Sequence, residues 1–185
     1  MELRAKEEQA IVLDFLPNGY PFDNRPAHRK TAIVQALGKS RFTILELVPK
    51  KEVFLQPNQE VYIGEGKRDQ IHHILGKLQY DKLTNTALNT LTHVVGEMVK
   101  EKEEFFVSFF NKAQPLTTRM HQLELIPGLG KKHMWAIIEE RDKEEFKSFE
   151  DLKSRVKLMP DPEKACIRRI LEELSGKEKH HIFTD

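Results

Sequence analysis

Between two stretches of helical apolar spacing the chain carries Pro127-Gly128-Leu129-Gly130, followed at once by Lys131-Lys132. Few backbone arrangements accept that run. Pro127 lacks an N–H and clashes with a preceding helical turn, so it stops the helix expected to end on Leu125-Ile126. Gly128 and Gly130 permit backbone angles that a Cβ forbids. Leu129, between them, is placed to plug the gap between two helices. A helix that begins at Lys131 presents unbonded N–H groups and the positive end of its dipole, which together form an anion site. A DNA or RNA phosphate fits such a site, and the two lysines add charge at the same spot. The expected contact is therefore Gly128, Leu129, Gly130, Lys131 and Lys132. Leu129 is structural in this reading. The glycine and lysine amides bind phosphate, and the lysine side chains add electrostatics.

The pattern continues past the turn with Ile137-Ile138, Arg141 and Phe146-Lys147-Ser148-Phe149-Glu150-Asp151-Leu152. Over residues 123–152 it resembles the helix-hairpin-helix motif of sequence-independent DNA-binding proteins. Met134 departs from that motif, which usually has a small alanine there, and so does the acidic run Glu139, Glu140, Asp142, Glu144 and Glu145. The resemblance implies backbone contacts, which position a strand without reading its sequence. It also allows a monovalent cation on carbonyls near Leu125, Pro127 and Gly130.

The N-terminal part reads as strands. Residues 10–15 are a short apolar run, and residues 16–30 hold prolines, a glycine and asparagines, the composition of a loop. Residues 31–37 and 41–48 read as a hairpin around Gly38-Lys39-Ser40. Residues 60–63 and 70–78 read as further strands, with Gly64-Glu65-Gly66 as a turn. Short strands without intervening helices suggest a small OB-like β-barrel. Its loop and hairpin end carry a basic cluster, Arg25, His28, Arg29, Lys30, Lys39 and Arg41, beside Tyr20 and Phe22. Arg25, Arg29, Lys30 and Arg41 are the candidates for a second contact to single-stranded nucleic acid. A solvated loop is the plainer alternative.

From Leu83 the period changes. Leu88, Leu91, Val95 and Met98 share one helix face behind Thr84 as N-cap. Phe105, Phe106, Phe109 and Phe110 form an aromatic stripe, read as core packing rather than a stacking platform. From Thr117 to Leu174 the chain is expected to be helical. Ser148 and Asp151 form a capping box, Asp161-Pro162 opens the last helix, and Gly176 follows its end. The residues after His180 read as a tail or a returning strand.

Composition narrows the function. The chain has 185 residues with a net charge of +1, so any affinity for nucleic acid must come from local clustering. The single cysteine, Cys166, excludes an intramolecular disulfide and is expected half-buried on a helix. His72-His73 and His180-His181 are expected to bind no metal, because adjacent strand residues face opposite ways. No phosphate-loop, nucleophile-elbow or dinucleotide motif is present, so the chain reads as a non-enzyme needing no cofactor. A polar N-terminus and the lack of a long apolar run give the expectation of a soluble cytoplasmic protein that enters no membrane.

A second likeness spans most of the chain. The run from Phe109-Phe110-Asn111-Lys112 through Thr117-Thr118-Arg119-Met120 to Leu125-Ile126-Pro127-Gly128, with Leu45-Glu46-Leu47-Val48-Pro49 and Val61-Tyr62-Ile63-Gly64 upstream, resembles the archaeal domain-of-unknown-function family 655. That family's description as RNA-binding is itself a prediction. The resemblance implies an archaeal origin and a β-rich part before the hairpin. The resulting expectation is an α+β chain with an OB-like barrel over residues 1–82, a helical connector over 83–114 and a helix-hairpin-helix domain over 115–185. Its expected role is non-catalytic binding of nucleic acid, RNA rather than DNA, with protein partners in translation or ribosome assembly. A protein-interaction adaptor and a DNA repair or recombination accessory are the alternatives.

Overall fold

The computed structural model describes residues 6–185. It divides into two compact units, residues 6–94 with 174–185, and residues 95–173. The boundaries expected from sequence lie at 82/83 and 114/115. The boundary between the units instead falls inside a helix.

The first unit is built on an antiparallel sheet. Strands β1 (Gln9–Leu16), β2 (Ile33–Gly38), β3 (Ile44–Pro49), β4 (Glu60–Tyr62) and β5 (Ile71–Lys77) lie in the order β4-β1-β2-β3-β5. The sheet is curled and open, a half-barrel of OB-like character. β4 and β5 do not form a hairpin across the Gly64–Gly66 turn. β4 pairs with β1 and β5 with β3, so they are opposite edges of the sheet. The glycine turn instead wraps Tyr62, whose hydroxyl accepts the Gly66 N–H at 3.0 Å.

Alternation along β1 and β3 sends Ala10, Val12, Leu45 and Leu47 into a core shared with Val61 and Ile71. β2 is central and buried throughout, including Gln35. That amide is fully used: its Nε2 donates to the Tyr20 hydroxyl at 3.2 Å and to the Lys82 carbonyl at 3.0 Å, and its Oε1 accepts the Thr84 N–H at 3.0 Å. Thr84 caps helix α1 (Asn85–Glu101) by accepting the Ala87 N–H at 3.0 Å, while its hydroxyl donates to Asp14 at 2.5 Å. Leu91, Val95 and Met98 are buried on the expected face of α1. The C-terminal segment forms no strand, but it is packed: Phe183 and Thr184 are buried, and Asp185 pairs with Arg41 at 2.6 Å.

The second unit holds helix α2 (Glu103–Lys112), strands β6 (Pro115–Thr117) and β7 (Met120–His121), a 3-10 turn (Gln122–Leu125), and helices α3 (Lys131–Lys143), α4 (Phe149–Arg155) and α5 (Pro162–Leu174). The helical reading from Thr117 up to Pro127 is therefore corrected. Proline and β-branched threonines at 115–118 disfavour helix, and β6 and β7 close a short antiparallel hairpin. Only after the turn does α-helix begin. Phe106 and Phe110 are buried on α2, Phe109 is half-buried and Phe105 is exposed, so the aromatic stripe is mostly core.

Candidate nucleic-acid interface

The approach to the turn is set by His121. Its Nδ1 accepts the Leu123 N–H at 3.1 Å, and its own N–H is accepted by Glu124 at 2.8 Å, a reciprocal cap on the 3-10 turn. Burial, then the Arg141 guanidinium, holds the His121 imidazolium pKa below its ordinary value, so the ring stays a neutral acceptor. The chain then turns through residues 126–129, closed by Leu129 N–H to the Ile126 carbonyl at 3.1 Å. Gly128 takes φ +84° and Leu129 is buried, as a plug requires.

Gly130 behaves differently from its expectation. Its φ of −94° is open to any residue, so no forbidden angle explains a glycine here. Gly130 is the N-cap of α3, and a Cβ built on it meets nothing within 4 Å. Its N–H is not available to a phosphate, because the His133 Nδ1 accepts it at 3.3 Å. What remains open is the first turn of α3. The amides of Lys131, Lys132 and His133 have no acceptor among the described residues. Lys131 and Lys132 are exposed and form no ion pair there. Of the carbonyls considered for a monovalent cation, that of Gly130 accepts the Met134 N–H at 3.0 Å.

A second turn lies beside the first, and the sequence pattern did not reveal it. Val156, Leu158 and Met159 repeat Ile126, Gly128 and Leu129 thirty residues on. Met159 N–H bonds to the Val156 carbonyl at 3.4 Å, Leu158 has φ +57°, and Met159 is buried like Leu129. The N-cap of α5 is Asp161, whose carboxylate accepts the Lys164 N–H at 3.1 Å, so this helix start is already occupied by an anionic cap. The turns touch: a Cβ at Gly128 would stand 3.2 Å from Pro160 Cγ. His133 joins them, its Nε2 lying 2.9 Å from the Leu158 carbonyl. Because that carbonyl only accepts, Nε2 carries the proton and Nδ1 is left to receive the Gly130 N–H. The second turn lacks glycine, so nothing in its composition announces it. The thirty-residue spacing of the apolar pairs is the one signal the sequence holds. Trp135, also overlooked, is 63% exposed one helical turn beyond Lys131.

Three residues of the acidic run, at and just past the far end of α3, are engaged in ion pairs. Glu139 and Glu140 pair with Lys143 at 3.3 and 2.7 Å, and Glu144 with Lys147 at 2.8 Å. From Lys131 to Glu139 the helix rises roughly 12 Å, more than a Debye length of about 8 Å at physiological salt. Arg141 is structural: its Nη1 donates to the Phe110 and Ala113 carbonyls at 3.0 Å each, closing the end of α2.

The N-terminal basic cluster belongs to the other unit and is partly neutralised within it. Asp23 binds the Arg25 guanidinium at 2.7 and 3.0 Å, which pulls the Asp23 pKa down to about 2. Arg41 is committed to Asp185. Arg29 is exposed at the end of a 3-10 turn (Ala27–Arg29), and Lys30 follows half-buried. Tyr20 and Phe22 stack at 4.9 Å, and the Tyr20 hydroxyl donates to Glu46. Burial, reinforced by that bond, pushes the Tyr20 pKa up to about 12.

The histidine geometry also needs correction. A register shift between Val48 and Pro49 bulges β5 against β3, and both rings of His72 and His73 are exposed with Nδ1 atoms 2.8 Å apart. No group of three or more metal-ligating residues occurs among the described residues. Cys166 is fully buried rather than half-buried, and burial raises its thiol pKa. No helix among the described residues is long and apolar enough to cross a membrane.

Comparison with known proteins follows this architecture. "Uncharacterized protein MJ0038" of Methanocaldococcus jannaschii is 45% identical over 179 residues, 96% of this chain and 79% of that protein. The crystal structure of Af1531 from Archaeoglobus fulgidus, itself described by the same family, superposes with a TM-score of 0.87 at 46% identity, covering 97% of this chain and all of that one. The family profile described as "Protein of unknown function (DUF655)" matches residues 6–185, and the chain belongs to that family.

Proposed function

We propose that this chain is a non-catalytic nucleic-acid-binding protein that grips a phosphate backbone through a helix-hairpin-helix at Gly128–Lys132. One observation carries the reading: the α3 N-terminus offers three amides without acceptors and two lysines without ion pairs among the described residues, and open space over Gly130. The amides hold a phosphate oxygen, the lysines supply attraction, and Leu129 keeps the turn rigid from below. The absence of a side chain on Gly130 lets a strand approach the backbone closely. RNA is the preferred partner, in keeping with the open OB-like sheet of the first unit and with the family resemblance. Protein partners in translation or ribosome assembly, and a cytoplasmic location, accompany that role.

The test is fluorescence anisotropy with labelled single- and double-stranded RNA and DNA across a salt series. Wild type is expected to bind with an affinity that falls as salt rises. A Lys131→Glu/Lys132→Glu variant is expected to lose binding at least tenfold while keeping its melting temperature. Competition of RNA against DNA of the same sequence separates an RNA role from a repair accessory, since only RNA offers the 2′-hydroxyl. The adaptor reading draws on exposed apolar side chains such as Phe22, Phe54 and Trp135. It takes over if no nucleic acid binds at low salt.

A further inference from the structure

Leu158 breaks two local rules at once. A leucine side chain 94% exposed gains nothing from burial, and φ +57° is a backbone region that a residue with a Cβ rarely occupies. The fold nonetheless holds this residue firmly. Met159, its neighbour, is buried, the Val156–Met159 turn is hydrogen-bonded, and the Leu158 carbonyl accepts from His133. The same imidazole accepts the N–H of Gly130, the N-cap of α3. One ring therefore fixes the distance between the Leu158 backbone and the α3 N-terminus. Lys157, beside Leu158, is exposed and unpaired among the described residues, as are Lys131 and Lys132. An apolar tip on a turn that carries Lys157, tied to the helix start that carries Lys131 and Lys132, with the Asp161 carboxylate engaged as the α5 cap, matches a polyanion with apolar sugar and base surface between its charges. It matches an acidic or neutral protein groove less well, because most of the exposed charge here lies on the α3 start, where single anions fit best.

We propose that Leu158 is a second contact to the same strand: an apolar tip that packs against the sugar and base edge of a nucleotide next to the phosphate held at Lys131–Lys132. This rests on the phosphate-grip reading and deepens it. The two turns share a fold but divide the labour. The first leaves its helix start open for an anion. The second closes its helix start with Asp161 and offers a side chain instead. Apolar side chains inserted at base steps are a known device of minor-groove and architectural DNA-binding proteins.

Leu158→Gly is the informative variant. Glycine suits a positive φ, so the fold is expected to be as stable as wild type or more so, with an equal or higher melting temperature. Anisotropy with the same labelled RNA is expected to show a five- to tenfold weaker affinity. The slope of log K against log salt should stay unchanged, because no charge is lost. Leu158→Asn, which also tolerates this backbone region, is expected to behave like Leu158→Gly, whereas Leu158→Met should bind within twofold of wild type. Binding of Leu158→Gly within twofold of wild type overturns the proposal, and so does a fall in its melting temperature that accounts for the loss. If wild type binds and only the Lys131→Glu/Lys132→Glu variant fails, the phosphate grip stands and the Leu158 contact falls. If wild type binds no nucleic acid, both fall together.

Discussion

Gly128 and Gly130 stand two positions apart, and different physics explains each. Gly128 sits at φ +84° with Pro160 close to it, so the angle disfavours a side chain and a Cβ would need Pro160 to shift by a few tenths of an ångström. Gly128→Ala is expected to destabilise the fold by about 1–2 kcal/mol through the left-handed backbone, with a further contribution from the Pro160 contact. A chemical denaturation midpoint measures it. Gly130 has neither constraint, and its extended angles are those of an ordinary N-cap. Gly130→Ser is expected to raise stability by a few tenths of a kcal/mol, because serine caps better than glycine. The same change should weaken nucleic-acid binding several-fold, since the new side chain fills the space over the α3 start. Anisotropy and a melting curve on one protein sample check both halves. A variant that is stabilised and binds normally would mean that close approach of a strand is not why glycine stands at position 130.

At the scale of elements, the 3-10 turn before Gly128 depends on a neutral imidazole. The sign of its pH dependence follows from the His121 shift. The folded pKa lies below the ordinary value of about 6.5, owing first to burial and then to Arg141, with Glu124 opposing. His121 therefore adds stability that is whole above about pH 6.5 and is lost as pH falls through the depressed folded value. Unfolding midpoints measured from pH 7.5 to 5 should decline on the acid side. His121→Asn keeps a capping acceptor that does not titrate, so its decline should be visibly shallower. A parallel decline in both proteins would assign the acid loss to other groups. Elements also differ in how far composition announces them. Thr84, Ser148 and Asp161 cap helices as their spacing predicts, because capping is a matter of two or three consecutive residues. The end of β6 and all of β7 fall where the sequence reads as helix from Thr117 on, since a short strand in a hairpin of this size has too few residues to show a period.

For the whole molecule, a net charge of +1 leaves little long-range attraction, so affinity must track the few charges that are free. With Lys131 and Lys132 as the contact, their removal should flatten the slope of log K against log salt by about 1.4 on a single strand and about 1.8 on a duplex. Within the first unit, Arg25 and Arg41 are already paired. Reversing Arg29 and Lys30 to glutamate is accordingly expected to change affinity less than twofold at physiological salt. A tenfold loss would instead make this cluster a nucleic-acid contact in its own right.

The sequence by itself determined what depends on neighbours along the chain. Strand alternation, the change to helical spacing at Leu83, the caps and the Pro127–Gly130 turn all follow from residues a few positions apart. Tertiary structure decided what depends on distant partners. β4 and β5, adjacent in the chain, became opposite sheet edges because each pairs better elsewhere. Arg41 met the carboxylate of Asp185 at the other end of the sequence, whereas Lys131 and Lys132 met none among the described residues. The Gly130 amide was claimed by a histidine whose other nitrogen holds the second turn. A charge or an N–H becomes a site only when nothing else in the fold satisfies it, and that is settled by packing rather than by sequence.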